Sequence, residues 1–366
     1  MASTEPRGWR RLRTTERWTI AVAVLASLGT FALRAAGADD RIVFGASAVA
    51  LAALAMMVGH GTDQLGHRLG PGATGVLQSA LGNLPELMIS FFALRAGLAT
   101  VVQTALVGSI LANSVLMLGL AFLVGGLKHG VQQFGTTKTR MMTILLVLAV
   151  AALAIPALAT APGAPDAGHA VAYSLIVAGV LLVVFIASIP FSLAGGPGAS
   201  ANAHEVTNAW PLGMAIGIVA AAAVAAAFVS EWFVASLEPA MASAGLSQAF
   251  AGLVIVAIAG NAVENVAGIQ AAAANKPDLA ISLIFNSSLQ VALALTPVLV
   301  FVSYVMGGPA LTLVLSPLLI GALSLAALLG ALIVYDGEST WLEGLALVGL
   351  YVIIAFAVWW GPAIGR

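Results

Sequence analysis

"GNLPE" at residues 82–86 and "GNAVE" at residues 260–264 are two short polar interruptions in a very apolar chain. The first lies within "LQSALGNLPELMISFFALRAG", where a carboxylate, an amide and a helix-breaking proline stand among hydrophobic residues. Of the 366 residues, 61% are hydrophobic and only 8% are charged, whereas a soluble globular protein has roughly 45–50% apolar and about 25% charged residues. The apolar runs are long enough for membrane-spanning helices. The sequence therefore predicts an all-α polytopic membrane protein.

About eleven transmembrane helices are predicted, because a helix needs about 20 apolar residues to cross the hydrocarbon core. The predicted spans lie near residues 18–36, 41–59, 72–95, 99–125, 141–160, 169–193, 210–235, 247–273, 278–305, 310–334 and 342–361. The predicted parts of the chain are a basic tail with an extra N-terminal helix (1–40), a first five-helix repeat (41–194), a linker (195–209) and a second five-helix repeat (210–366). The connections are short, so no soluble domain is expected.

The charged residues and the absence of cysteine limit the classes of function. With no cysteine, disulfides, thiolate catalysis and cysteine-based metal sites are excluded. The basic residues are scattered except at the N-terminus, so no nucleic-acid partner is predicted. Arginines at positions 7, 10, 11, 13 and 17 precede the first span, which predicts a cytoplasmic N-terminus. No cleaved targeting segment is expected, and the bacterial cell (inner) membrane is the predicted location.

The two halves of the sequence align in their polar positions. When the sequence is shifted along itself so that Gly82 falls on Gly260, the same shift places Asn83, Glu86 and Ser109 on Asn261, Glu264 and Ser287. We call this constant shift the repeat alignment. The two copies start in the third and eighth predicted spans, and this odd separation means that they cross the membrane in opposite directions. Such inverted repeats are found in secondary transporters, with the site near the bilayer midplane.

Two carboxylates in mid-membrane need a compensating partner. A charged side chain there costs at least about 2.5–3.5 kcal/mol on insertion scales. If Glu86 and Glu264 converge, they repel each other unless a cation or a proton lies between them. A hard cation such as Ca²⁺ takes several oxygen ligands at about 2.3–2.6 Å. The predicted cation- or proton-binding residues are Glu86, Glu264, Asn83, Asn261, Ser109, Asn113, Asn286, Ser287, Ser288 and Gln290, many of which share a helix face at i, i+3 or i, i+4 spacing.

Three residues are predicted to break the helices beside these carboxylates. Pro85 cannot donate a helical hydrogen bond, which would leave a carbonyl near residue 81 able to face an ion. Gly82 and Gly260 allow a kink or a close backbone approach. A weaker hypothesis assigns a proton path to Glu231, Glu238, His60 and Asp63. The structural alternatives are a buried hydrogen bond or ion pair for the two glutamates and helix packing for the serines.

Two long motifs resemble the signature repeats of the cation/Ca²⁺ exchanger superfamily. The first is "GNLPELMISFFALRAG" followed by "VVQTALVGSILANSVLMLGLAFLVGGL", and the second is "GLVIVAIAGNAVENVAGIQAAAANKPDLAISLIFNSSLQVALALTPVLV". The Gly-Asn in both repeats is similar to that of the Ca²⁺/H⁺ antiporter branch. The resemblance covers residues 40–126 and 230–305, and elsewhere only the hydropathy is similar.

The resemblance implies a secondary active transporter, and no enzyme, that exchanges Ca²⁺ for H⁺ by alternating access. It implies that Glu86 and Glu264 hold the cation and take up protons in exchange. The partners are then membrane lipid and the transported inorganic cations, without a cofactor. Asn265 stands where the family usually has histidine, and His60 where it often has an acidic residue. Because of these departures, Na⁺(K⁺)/H⁺ exchange or Na⁺/Ca²⁺ exchange by a protein of the same fold stays an alternative. A passive channel and a non-transporting scaffold are alternatives from other functional classes.

Overall fold

A computed structural model of the protein describes residues 12–161, 163, 164, 166–194, 210–308 and 310–359, with the side chains of residues 66–80, 190–194 and 262–265 left out. Eight helices in the described residues are long and apolar enough to cross a membrane: Thr14–Ala35, Asp40–Leu65, Ala99–His129, Thr136–Ala159, Ala167–Ile189, Leu212–Ala244, Pro277–Val305 and Trp341–Trp359. Two shorter apolar helices are Gln248–Gly260 and Pro317–Ile333. These helices confirm an all-α polytopic membrane protein.

The helices are α1 (Thr14–Ala35), α2 (Asp40–Leu81), α3 (Leu84–Arg95), α4 (Ala99–Leu111), α5 (Leu118–His129), α6 (Thr136–Ala159), α7 (Ala170–Ala194), α8 (Leu212–Ala244), α9 (Gln248–Phe250), α10 (Ala257–Gly260), α11 (Ala262–Ala273), α12 (Pro277–Gln290), α13 (Thr296–Val305), α14 (Pro317–Ile333) and α15 (Trp341–Trp359). Three π-helical segments continue α4, α9 and α12: π1 (Ala112–Met117), π2 (Ala251–Val256) and π3 (Val291–Leu295). A 3₁₀ turn at Ala167–His169 precedes α7. Two short strands, β1 (Gln132–Gln133) and β2 (Glu338–Ser339), pair antiparallel.

The predicted connection between the spans at 41–59 and 72–95 is helical in the structure. The helix α2 runs without interruption from Asp40 to Leu81 and ends only at the first motif. The polar stretch at 60–69 favours a connection by its composition, but polar residues such as Gln, Arg and His are compatible with a helix. Polarity alone therefore does not end a helix, whereas the Gly-Asn pair at the motif does.

The chain divides into two compact units, and the first comprises residues up to Ile89 together with Ala187–Ala240. In this unit α1 packs along α2. The rings of Phe44 and Phe233 stack with their centroids 4.7 Å apart, which joins α2 to α8. Gly61 lies so close to Val219 that a Cβ at Gly61 would be 2.4 Å from a Val219 methyl group. The apolar stripes of these three helices therefore form the core of the first unit.

A buried carboxylate ties the beginning of α1 to the rest of the first unit. Glu16 is 6% exposed and accepts hydrogen bonds from the backbone N–H of Arg13 at 2.7 Å and from the Trp210 indole at 3.2 Å. The Gln64 amide lies 3.5 Å from the other carboxylate oxygen, and its own oxygen accepts from the Trp210 backbone N–H at 3.0 Å. These donors offset part of the cost of burying the charge.

The second unit comprises Ser90–Ile186 and Met241–Arg366. Glycines let its helices approach until their backbones touch. A Cβ at Gly108 in α4 would lie 2.2 Å from the carbonyl oxygen of Leu253 in π2, and one at Gly252 would lie 2.5 Å from the carbonyl oxygen of Val101. Gly344 in α15 likewise faces the backbone of α5. Small residues allow this close packing, which is the usual source of helix association in membranes.

The elements around the two motifs recur in the repeat alignment. The helices α3 and α11 both contain 12 residues, and the alignment places the ends of α3 on the ends of α11. It also places the first residues of α4 and α5 on those of α12 and α13, and a π-helical segment precedes both α5 and α13. Gly97 and Asn275 correspond as well, and both have positive φ, of 78° and 58°. The polar positions of the two halves therefore occupy equivalent local structures.

Candidate cation site

Both motifs lie at a break between two helices. In the first, α2 ends at Leu81, a turn follows at residues 82 and 83, and the Asn83 carbonyl accepts the first helical hydrogen bond of α3 from Leu87 at 2.9 Å. Pro85 is the second residue of α3, where its missing N–H interrupts no helical bond. In the second, α10 ends at Gly260, and Asn261 leaves the helical region with φ −106° and ψ 17°. The breaks place the two asparagines at helix junctions.

Four of the predicted site residues come together in the second unit. Asn261 donates from its amide nitrogen to Ser109 Oγ at 2.9 Å and to the Ala257 carbonyl at 2.9 Å. Asn113 donates to Ser287 Oγ at 2.8 Å and lies 3.4 Å from Asn261 Oδ1. Ser287 Oγ lies 3.5 Å from the same Asn261 oxygen. One hydrogen-bonded polar cluster, Ser109, Asn113, Asn261 and Ser287, thus joins residues from both halves of the sequence.

The polar cluster is buried and lies where the helices depart from regular α geometry. Its four side chains are at most 3% exposed. Asn113 lies in π1, Asn261 lies in the break before α11, and Ser287 lies one turn before π3. π-Helical turns are frequent at functional sites because they shift side chains relative to the regular helix. Buried polar groups in such positions need partners, and here they find them in one another.

The first carboxylate, Glu86, belongs to the first unit and lies in the first turn of α3. Its side chain is fully buried, and that of Asn83 is 5% exposed. A helix N-terminus favours a negative charge in its first turn, so α3 itself helps to hold an ionised Glu86. The second carboxylate, Glu264, lies in the first turn of α11, but its side chain is outside the described residues. The two glutamates therefore have equivalent positions on their helices.

Two other predicted ligands, Ser288 and Asn286, have polar contacts within their own helix. Ser288 donates to the carbonyl of Ile284 in its own helix at 3.2 Å, and Asn286 lies 3.5 Å from Ser282 Oγ. Gln290 is half-buried at the end of α12. Ser288 thus makes the helix-internal bond that the packing alternative expects.

The four residues of the predicted proton path differ in exposure. Glu231, Glu238 and Asp63 are exposed, and His60 is half-buried. All four belong to the first unit. Their role stays a prediction.

One further residue of the site region was not predicted. Ser90 is 1% exposed, and its hydroxyl makes no hydrogen bond within the described part of the chain. It follows Glu86 by four residues in α3, so the two side chains share a helix face. This spacing could have marked Ser90 in the sequence, but serine is also a common packing residue in membrane helices.

The polar cluster offers neutral oxygen ligands in an apolar surrounding. Amide and hydroxyl oxygens suit hard cations such as Ca²⁺, Mg²⁺ or Na⁺. Asn261 Oδ1 lies 3.4 Å from Asn113 Nδ2 and 3.5 Å from Ser287 Oγ, and contacts of this length are weaker than hydrogen bonds near 2.9 Å.

Comparison with known proteins assigns the chain to a family. The model described as "Sodium/calcium exchanger protein" matches residues 41–194 and 214–360. The Ca(2+)/H(+) antiporter of Aphanothece halophytica is 31% identical over 348 residues, covering 89% of this chain and 92% of that protein. The Ca(2+)/H(+) antiporter ChaA of Bacillus subtilis (strain 168) is 34% identical over 321 residues, covering 86% and 91%.

A solved structure of similar fold agrees with these relatives. The selenium-substituted Ca2+/H+ antiporter protein YfkE superposes with a TM-score of 0.80 at 29% identity, covering 94% of this chain and 99% of that chain. The fold, the family model and the two relatives all extend over most of the sequence. The chain therefore belongs to the sodium/calcium exchanger family of integral membrane proteins.

Proposed function

We propose that the protein exchanges Ca²⁺ for H⁺ across the membrane by alternating access. The observation that carries this proposal is that relatives named Ca(2+)/H(+) antiporters align over about nine-tenths of their length with the chain. The local structure supports it, since both motifs place a glutamate in the first turn of a helix that follows a break.

The proposed cation site combines two carboxylates with neutral oxygens. Glu86 and Glu264 supply the negative charge that a divalent cation needs, and the polar cluster supplies amide and hydroxyl oxygens. Asn261 Oδ1 is the neutral oxygen that we expect to face the cation, because the amide nitrogen of Asn261 is already held by Ser109 Oγ and the Ala257 carbonyl. Ca²⁺ tolerates irregular geometry and six to eight oxygens, which suits ligands drawn from several helices.

Proton coupling follows from the cost of bare charge in a low dielectric. With Ca²⁺ bound, the two carboxylates are neutralised, and with two protons bound they are neutral as well. With neither, they are paired like charges in an apolar surrounding, which is strongly unfavourable. The transition between the inward- and outward-facing forms is therefore permitted only for the two neutral forms, and this links Ca²⁺ flux to H⁺ flux in the opposite direction.

The proposed architecture has eleven spans, with the N-terminal helix followed by two inverted five-helix repeats. The helix boundaries that coincide in the repeat alignment and the two matches of one family model support it. The arginines before α1 favour a cytoplasmic N-terminus in the cell (inner) membrane. Because the chain has no cysteine, single cysteines at Ala96 and Ala274 can be tested for labelling, and an inverted repeat requires them to react from opposite sides.

Transport in reconstituted proteoliposomes tests the function. A pH-sensitive dye inside the vesicles reports proton movement when Ca²⁺, Na⁺ or K⁺ is added separately. We expect a signal with Ca²⁺, and we expect Glu86→Gln and Glu264→Gln each to abolish it. Glu338→Gln, which changes an exposed carboxylate on β2, is the matched control and should transport like the wild type.

The outcomes separate the alternatives. A proton signal with Na⁺ or K⁺ alone would replace the substrate and keep the fold. A Ca²⁺ influx that moves no protons and does not saturate would indicate a channel. Ca²⁺-driven proton movement that survives both glutamine substitutions would overturn the paired carboxylate site.

A further inference from the structure

The end of α3 borders an open crevice of about 450 Å³ in the second unit. It is lined by Phe91, Leu94, Arg95, Gly97, Met306 and Gly308. The guanidinium of Arg95 is exposed, and no described side chain forms an ion pair with it. Among the described residues, the crevice thus has one cation without an ion-pair partner at its rim, with apolar walls beside it.

The equivalent end of α11 is closed by polar contacts. Lys128 Nζ and His129 Nε2 both lie against the Ala273 carbonyl, at 2.8 and 2.9 Å. Gln132 donates to the side-chain oxygen of Asn275 at 2.9 Å. Basic groups at a helix C-terminus satisfy its last carbonyls and stabilise its dipole. This end of the repeat therefore carries its own donors and its own acceptors.

The residues that close the end of α11 are replaced at the end of α3. In the repeat alignment Gly97 falls on Asn275, so the amide acceptor becomes a glycine. Lys128 falls on Met306, so the basic donor becomes an apolar side chain. The end of α11 is thus filled by polar side chains, whereas the equivalent end of α3 is an open crevice with Arg95 at its rim and apolar walls.

We propose that this crevice binds an anionic phospholipid, with its phosphate on Arg95 and its acyl chain along Phe91, Leu94 and Met306. Arginine presents a planar fork of donors that matches phosphate oxygens, and such charge-assisted pairs are among the stronger hydrogen bonds. An anionic lipid, unlike a zwitterionic one, leaves a net negative charge to pair with the unneutralised guanidinium. The inference is independent of the ion that the protein transports.

The position of the crevice lets a lipid reach it without leaving the membrane. It lies at the end of α3, the helix that carries Glu86 in its first turn and Arg95 in its last. Val305, next to the crevice-lining Met306, is 83% exposed. An exposed aliphatic side chain beside an arginine at a helix end matches the boundary between hydrocarbon and headgroups.

Native mass spectrometry of the purified full chain, titrated with phosphatidylglycerol, tests the proposal. Replacing a guanidinium that binds phosphate should reduce retention of the lipid roughly tenfold in Arg95→Gln, with partial retention in Arg95→Lys. Gly308→Phe keeps the charge but fills the crevice, since a Cβ at Gly308 would meet open space, and it should also reduce retention. The matched control is Arg34→Gln, which changes another exposed arginine in the last turn of a spanning helix.

Each outcome decides the matter. Loss of binding in Arg95→Gln and Gly308→Phe, with Arg34→Gln unchanged, supports the site. Equal retention in all variants, or equal retention of phosphatidylcholine and phosphatidylglycerol by the wild type, would overturn it. Unfolding temperatures measured in the same detergent separate a lost site from a lost fold. Arg95→Lys is a further control, because it keeps the charge with little change of shape.

Discussion

The substitution Gly108→Ala tests how closely the helices of the second unit pack. A Cβ at this position would lie 2.2 Å from the Leu253 carbonyl oxygen and 2.5 Å from the Leu253 Cα. These are backbone atoms, so no side-chain rotation can relieve the contact. Because non-bonded heavy atoms are most stable at separations of about 3.5 Å or more, α4 and π2 would have to move apart by roughly 1 Å.

This displacement is large enough to reach the polar cluster. Ser109, the neighbour of Gly108, accepts the hydrogen bond from Asn261 at 2.9 Å. If the full movement is transmitted, the separation becomes roughly 4 Å, beyond the range of a hydrogen bond. Overpacking of this kind costs roughly 1–3 kcal/mol, and breaking a buried hydrogen bond adds about 1–3 kcal/mol. Gly108→Ala should therefore destabilise the protein by several kcal/mol.

The matched control is Gly45→Ala in α2, where a Cβ would meet nothing within 4 Å. Alanine is the better helix former by about 1 kcal/mol, so this variant should be as stable as the wild type or more so. Thermal unfolding in detergent, followed by Trp fluorescence, compares the variants, and Ca²⁺-driven proton movement in proteoliposomes reads the site. If Gly108→Ala unfolds at or above the wild-type temperature and transports normally, then α4 and π2 do not touch as described.

Three further substitutions test other contacts. Trp210→Phe removes the 3.2 Å hydrogen bond to Glu16. A hydrogen bond to a charged group usually contributes about 1.5–3 kcal/mol, so the free energy of unfolding should fall by that amount. A thermal scan measures this loss, and an unchanged midpoint would contradict the prediction. Lys128→Ala leaves a second donor on the Ala273 carbonyl. We therefore expect the free energy of unfolding to fall by less than about 1 kcal/mol, with faster amide exchange confined to the end of α11. A global loss of folded protein would contradict this prediction. In Gly344→Val a Cβ would lie 2.3 Å from the backbone of α5, so size-exclusion chromatography should show little monodisperse protein, unlike Gly349→Val, where the space is open.

The fold class follows directly from the sequence, because hydrophobic length is a strong signal in a membrane chain. The positions of the two motif breaks also follow from the sequence, since Gly-Asn before a helix start is a local signal for a helix break. The continuous helix from Asp40 to Leu81 does not follow, because His, Gln and Arg at 60–69 are compatible with a helix and also common in connections. Whether such a stretch is a loop or a longer helix depends on what packs against it, which one sequence does not contain.

The candidate site follows from the sequence to the extent that its members repeat. Asn261, Ser109 and Ser287 can be selected because the repeat alignment pairs them with other polar positions or with one another, and Asn113 because of its helical spacing from Ser109. The same reasoning selects Ser288 and Asn286 by their neighbourhood, but in the structure these bond within their own helix. The direction of the side chain decides whether a residue joins the polar cluster or bonds within its own helix. In α12 this direction depends on the phase of the helix before π3, and residue types do not encode that phase.

In the proposed cation site, amides rather than further carboxylates would complete the set of ligands. Asn261 uses its amide nitrogen for two hydrogen bonds of 2.9 Å, to Ser109 Oγ and to the Ala257 carbonyl. The donor side of this amide is therefore anchored to the protein. An additional carboxylate would raise the cation affinity, but it would also add a charge that must be neutralised by another proton before the site could close. An anchored amide would supply an oxygen ligand without that proton, so protonation of the two glutamates alone would release the cation from the proposed site.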